Sequence, residues 1–203
     1  MAEKKLSRSE LKRKAILDAA KESFQENGVQ GTSMDQLAAR AQVSKRTVYN
    51  HFTSKEALVI HLVADLWKQA TQSIELNFDA EGDLQTQLSS LLQAEMNVVC
   101  STEYLDLARV AIGHYFYHPE ALQAELSRFD KTETALYQWL ETAINKGHLK
   151  KIDPSFAINQ LHSLIKGNCF WPQLLQIEAI PSLAERQHLA DESAAMFLNY
   201  YQH

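Results

Sequence analysis

Cysteine, glycine and proline are scarce in this chain: two, six and four among 203 residues. Cys100 and Cys169 stand in apolar sequence and form no C-x-x-C pair. Neither a disulfide framework nor a thiolate metal cage is expected, and both read as small buried hydrophobes in a reducing cytosol. The glycines build no phosphate-cradling loop, and no nucleophile–base constellation stands out, which argues against an enzyme. No apolar run approaches the ~20 residues of a membrane span. The start, MAEKKLSRSELKRK, lacks the apolar core of a secretory leader, so a cytoplasmic protein is expected. No stretch alternates long enough to count as a half-buried strand. What remains is 45% hydrophobic and poor in helix breakers, the composition of a helical protein with a sizeable core.

Charge is divided unevenly. Residues 1–60 carry 11 Lys/Arg against 7 Asp/Glu, a net of +4, whereas residues 61–203 carry 9 against 18, a net of −9. A basic head on an acidic body suggests a polyanionic partner for the head alone.

Helical periodicity runs throughout. Leu11, Ala15, Ile16, Ala19, Ala20 and Phe24 make a first stripe, and Gly28 suits its C-terminal stop. Ser33 with Gln36 forms a capping box before a short second helix that buries Met34, Leu37, Ala38 and Ala41. Ser44 can cap a short third helix and Ser54 a long fourth, over residues 54–77. DAEGD at 79–83 ends that helix. Further helices are expected at 83–101, 103–117, 119–147, 154–179 and 182–201. Pro119, Gly147, Pro154 and Pro181 punctuate them, and Pro172 should kink or split the fourth of these. The fold class is all-α, about nine helices, with an N-terminal domain over 1–53 and a larger helical domain over 54–203.

On a helical wheel of Ser44–Phe52, Val48 and Phe52 share the inward face, and Arg46 and Asn50 point away from it. Lys45 and Tyr49 flank the outward face on one side and Thr47 on the other. The helices around AQVS are too short to stand alone. Packed steeply over the first helix they make a helix-turn-helix, whose second helix enters a DNA major groove. Arg can bond a guanine edge and Asn an adenine edge, and Thr47 can meet a thymine methyl or a phosphate. Tyr49 and His51 can donate to phosphate oxygens. Lys55 lies in the first turn of the fourth helix, where a cation opposes the helix dipole and a docked phosphate would relieve the conflict.

Residues 11–58 resemble the DNA-binding region of the TetR/AcrR family of bacterial transcriptional regulators. The likeness is carried by ILDAAKESFQENGVQGTSMDQLAARAQVSKRTVYNHFTSKEAL, and within it by TSMDQLA and VSKRTVYNHFTSKEAL. It implies a symmetric homodimer, a helical C-terminal domain that binds a small molecule, and release from a palindromic operator when it does. Matched by position, DNA contacts would fall on Thr32, Ser33, Ser44, Lys45, Arg46, Thr47, Tyr49, His51 and Lys55, beside the Asn50 read from the wheel. Gln42 occupies a turn position that is usually Gly in the family. Arg46 stands where many relatives have a small residue, so an operator cannot be borrowed from them.

The body matches the family only loosely and must be read from its pattern. Polar groups embedded in apolar sequence mark a candidate pocket for a hydrophobic or amphipathic ligand. Its residues are Met96, Tyr104, Arg109, His114, Phe116, His162, Asn168, Phe170 and Trp171, with Glu95 and Tyr115 near them. The resemblance pairs the last two helices with their twofold mates in a four-helix bundle. Candidate interface residues are Leu161, Leu164, Ile165, Leu175, Ala190, Ala194, Phe197, Leu198 and Tyr201. His114 and His118 have a spacing that can share a metal, but no third ligand accompanies them, and neither metal nor other cofactor is expected.

The function read from the sequence is a DNA-binding transcriptional repressor released by a small ligand. In that mechanism the ligand shifts the body toward a shape with a different head spacing, and the fourth helix is the lever. The rivals are a constitutive DNA-binding protein without an effector and a helical enzyme with an incidental basic head.

Overall fold

A computed structural model describes residues 7–72, 78–117, 119–120 and 134–203. The described residues are helical with no strand; one isolated bridge joins Leu149 and Gln202. The helices are α1 (Arg8–Gly31), α2 (Met34–Arg40), α3 (Lys45–His51), α4 (Lys55–Gln72), α5 (Leu84–Val99) and α6 (Thr102–Tyr115). They continue with α7 (Ala135–Asn145), α8 (Pro154–Cys169), α9 (Trp171–Leu174) and α10 (Leu183–Tyr201). The chain forms two compact units, one of Met1–Val63 with Leu107–Leu122, the other of Ala64–Asp106 with Gln123–His203.

In the first unit α1, α2 and α3 pack on one another. Ile16, Ala20, Leu37, Val48, Phe52, Leu58 and Val59 are almost wholly buried. Burying each large apolar side chain contributes about 1.5–3 kcal/mol, which is what keeps two seven-residue helices folded. Local chemistry sets the boundaries. Ser33 and Gln36 close the expected capping box, Ser44 accepts from Thr47 N–H, and Ser54 accepts from Ala57 N–H. Gly28 breaks α1 with φ 70°, and the chain makes a further turn before Thr32. α2 ends in a Schellman motif: Gln42 N–H bonds Ala39 O, Val43 N–H bonds Ala38 O, and Gln42 takes φ 52°.

The second unit is built around α5, whose face of Leu88, Leu91, Leu92, Met96 and Val99 is fully covered. α10 packs along α5, and α8 packs against α5, α7, α9 and α10. Gln87 ties this core to the turn before it. Its amide oxygen accepts from Trp139 Nε1 at 3.1 Å and from Asp79 N–H at 3.0 Å, and its amide nitrogen donates to Asp79 O at 2.8 Å.

One expectation is corrected here. The run at 154–179 divides at Phe170, as Pro172 leads one to expect, but the single turn α9 that follows already ends at Leu174. A second Schellman motif with Gln176 at φ 58° makes that end. Of the helices expected at 54–77 and 119–147, residues 73–77 and 121–133 lie outside the described residues.

Candidate nucleic-acid interface

α3 has one buried and one open face. Val48 is 0% and Phe52 2% exposed, whereas Lys45, Arg46, Tyr49 and Asn50 are exposed and Thr47 and His51 half-buried. The Arg13 guanidinium lies over the Phe52 ring, 5.2 Å from its centre, and His61 meets the same ring edge-on at 5.2 Å. Phe52, the C-cap of α3, is therefore held from α1 and α4, and the Arg46–Asn50 edge is fixed with it. A guanidinium and a carboxamide on successive turns of an exposed edge can read adjacent base pairs.

The side chains around that edge divide into free and engaged groups. The Lys45 ammonium bridges to the Asp35 carboxylate at 2.8 Å, linking the start of α3 to α2. That hydrogen bond and charge raise the Lys45 pKa, so the ammonium stays charged. Arg40 is likewise raised by its hydrogen bond to Glu26 at 2.5 Å, with Glu22 3.7 Å away, which joins the end of α2 to α1. Ser44 Oγ lies 2.8 Å from Thr47 Oγ1 while capping α3, and Ser33 is similarly engaged with Gln36.

Thr32 departs from its expected place on the DNA-facing surface. Its side chain is buried, and its hydroxyl donates to Gly28 O at 2.9 Å and Ser23 O at 3.2 Å. It shapes the α1–α2 connection and has no hydroxyl surface to offer a phosphate. Lys55 is half-buried and donates to Thr32 O at 3.0 Å. Sequence reasoning did not foresee the pairings of Asp35 and of Arg40, because partners on different helices leave no local spacing.

The candidate pocket residues do not share one environment. Met96 is wholly covered within the α5 face. Tyr104, Phe170 and Trp171 do meet: Phe170 lies edge-on to Tyr104 at 6.2 Å and to Trp171 at 5.0 Å, and burial pushes the Tyr104 phenol up to about 12. His162 Nε2 lies 2.9 Å from the buried Glu95 carboxylate. Asn168 is exposed and donates back to Leu164 O on its own helix, and Phe116 is 79% exposed, so neither lines an interior. Arg109 is half-buried, whereas the side chain of His114, that of Tyr115 and all of His118 lie outside the described residues.

The interface residues need a comparable correction. Leu161, Ile165, Ala190, Ala194, Phe197 and Leu198 are buried inside the single chain, where α10 lies along α5 and α8, and present no side chain to a partner. The small alanines let helices approach within one protomer. Leu164 and Tyr201 are half-buried and Leu175 is exposed. The apolar surface on these elements is instead Phe156, Trp171, Leu175, Ile177, Met196 and Tyr200.

Comparison with known proteins bears on both units. Residues 16–62 match the family model of the bacterial regulatory proteins of the tetR family, and residues 86–203 match that of the C-terminal domain of AefR-like transcriptional repressors. A solved TetR family transcriptional regulator from Pseudomonas syringae pv. tomato DC3000 is 37% identical, with TM-score 0.70 over 97% of this chain and 98% of that one. The flavonoid-responsive regulator FrrA is 25% identical, with TM-score 0.65 over 94% and 97%. The HTH-type transcriptional regulator RutR of Escherichia coli O157:H7 is 28% identical over 155 residues, covering 72% of this chain and 68% of its own.

Proposed function

Since the chain belongs to the TetR family of bacterial transcriptional regulators, we propose that it is a repressor that reads its operator through Arg46 and Asn50 of α3. The exposed Arg46–Asn50 edge, opposite a fully buried Val48–Phe52 edge, carries the reading. Tyr49, His51 and Lys45 lie beside that edge and serve phosphates, which position the protein without specifying sequence. Ser33, Ser44 and Thr47 fix the helix starts next to the same backbone.

The protein acts as a homodimer on a palindromic site, because two recognition helices must reach successive grooves about one helical turn apart. The exposed apolar side chains of α8, α9 and α10 form the protomer contact. Gly167 lies on the exposed side of α8 with open space before it, which would allow a partner helix to come close.

The effector is a small hydrophobic molecule with an aromatic part, taken up by the second unit near Tyr104, Phe170 and Trp171. The response of FrrA to flavonoids supports that chemistry. The effector weakens DNA binding by its preference for one conformation of the body, and by no more than that preference. Footprinting of the purified protein across genomic DNA tests the proposal. Discrete palindromic protected sites, lost with Arg46→Ala and weakened by a flavonoid-like panel, are the expected result. Uniform protection would overturn sequence reading, and sites unaffected by any compound would favour a constitutive binder.

A further inference from the structure

Asp35 is the one acidic residue of α2, α3 and the turn between them, residues 34–51. The fold puts it where a carboxylate is least expected. Its two oxygens lie 2.8 Å and 3.0 Å from the Lys45 ammonium, and Lys45 is the first residue of α3. The leading residues of a recognition helix are those that come closest to base edges. Asp35 therefore stands at the rim of the surface that meets a polyanion, with its side chain 65% exposed. The acids that hold Arg40, Glu22 and Glu26, belong to α1 instead.

Folding does not account for this carboxylate. Ser33 and Gln36 close the box at the start of α2 without it. A carboxylate in the first turn suits the helix dipole, and an ion pair links α2 to α3, but both effects are small for exposed groups and screened by salt. Against DNA the same charge matters more. An ionised carboxylate accepts at about four sites, and Lys45 takes one on each oxygen. Acceptor capacity therefore remains on the exposed side. In the major groove the groups that can donate to it are the exocyclic amino groups of cytosine and adenine. Adenine sets its N7 acceptor beside that amino group, which repels a carboxylate, whereas cytosine has a C–H there.

We infer that Asp35 is a specificity-determining residue, whose carboxylate repels duplexes in general and is accommodated where a cytosine amino group meets it. This rests on the reading that α3 enters the major groove, and it adds a second contact element, α2, to that reading. Lys45, on the other side of the carboxylate, supplies its countercharge and keeps N–H groups for a neighbouring phosphate. A duplex without cytosine at that position sets the carboxylate against a carbonyl oxygen, or against an amino group beside N7. Discrimination then has a repulsive part beside the attractive one of Arg46 and Asn50.

The test selects bound sequences from a random duplex library with the full-length protein. Competition binding then compares the selected operator, its single base-pair variants and random DNA. The wild type should fix a cytosine at one position of each half-site, and replacing it should cost about tenfold in affinity. Asp35→Asn keeps the shape and removes the charge. It should lose the preference at that position alone, keep the rest of the selected sequence, and bind random DNA about threefold more tightly. Lys45→Met should weaken every duplex and keep the cytosine. Asp35→Ser serves if the asparagine variant misfolds. A selected sequence identical for Asp35→Asn and wild type would overturn the proposal, whether affinity rose on all duplexes alike or did not move. So would an equal loss on operator and random DNA together with a lower Tm, which would make Asp35 structural. A wild type that enriches no sequence at all would instead remove the reading on which the proposal rests.

Discussion

Lys55 Nζ donates to the carbonyl oxygen of Thr32 at 3.0 Å, across 23 residues of sequence. The bond pins the first turn of α4 to the connection between α1 and α2, and that connection is itself fastened by the Thr32 hydroxyl on Gly28 O. A cation at a helix start is unfavourable in isolation. Here it satisfies a half-buried carbonyl and still has N–H groups to offer a phosphate. Two effects are expected from Lys55→Met. Unfolding free energy should fall by about 1 kcal/mol, because the Thr32 carbonyl loses its donor. Affinity should fall equally on cognate and random duplexes, and the slope of log K against log salt should flatten by about one phosphate contact. Denaturant titration and binding over a salt series separate the two, and an unchanged slope would leave Lys55 with a structural role only.

Arg46 makes no contribution to the core, so its removal should leave folding intact. Arg46→Ala should cost about 1–3 kcal/mol on the operator and little on random DNA, since a bidentate contact to a base edge discriminates by that amount. Competition binding on the two duplexes measures the ratio. An equal loss on both would assign Arg46 to the backbone and leave base reading to Asn50.

The sequence makes plain those parts of the fold that depend on local rules. The Ser33–Gln36 box, the Ser44 and Ser54 caps and the inward Val48–Phe52 edge each need only a few neighbouring residues, and each forms as expected. Gln42 is likewise foreseeable as a strained turn, and its φ of 52° shows a non-glycine in the left-handed region. The stop at Leu174 was hidden because Gln176, with no glycine to announce it, takes the same conformation. The candidate interface residues misled for another reason. Ala190, Ala194, Phe197 and Leu198 show an apolar stripe, but periodicity cannot say whether α5 of the same chain or a helix of another covers it. Pairings such as Lys45–Asp35 and His162–Glu95 are decided by packing and leave no trace in spacing.

Acid should weaken two helix starts of three that carry the same box. Ser7 with Glu10 and Ser182 with Glu185 use a carboxylate, whereas Ser33 uses the uncharged Gln36. Hydrogen bonds from the Ser182 hydroxyl and N–H hold the Glu185 carboxyl below its ordinary 4.5, and Ser7 does the same for Glu10. A depressed folded pKa stabilises the protein above the unfolded value, and that stability is lost as pH falls through the lower folded value. Glu185→Gln should therefore melt below the wild type near neutral pH, with the gap closing at acid pH. Melting curves between about pH 7 and pH 3 read this directly, and parallel curves would remove the charge from the account.

Dimerisation should depend on exposed rather than buried apolar residues. Leu175 is 63% and Met196 60% exposed, and Trp171, Ile177 and Tyr200 are exposed as well. Large apolar side chains left uncovered together mark a surface where something docks. Replacing either residue by Glu removes nothing from the interior, so the fold should survive with an unchanged circular dichroism spectrum. A charge placed in the centre of an apolar contact must be desolvated or must break it. Leu175→Glu and Met196→Glu should therefore shift the protein to monomer in analytical ultracentrifugation. Each should also lose affinity for the full palindrome by at least about tenfold while keeping weak binding to a half-site, since only the dimer engages both halves at once. Variants that stay dimeric and bind the palindrome as before would move the interface to another surface.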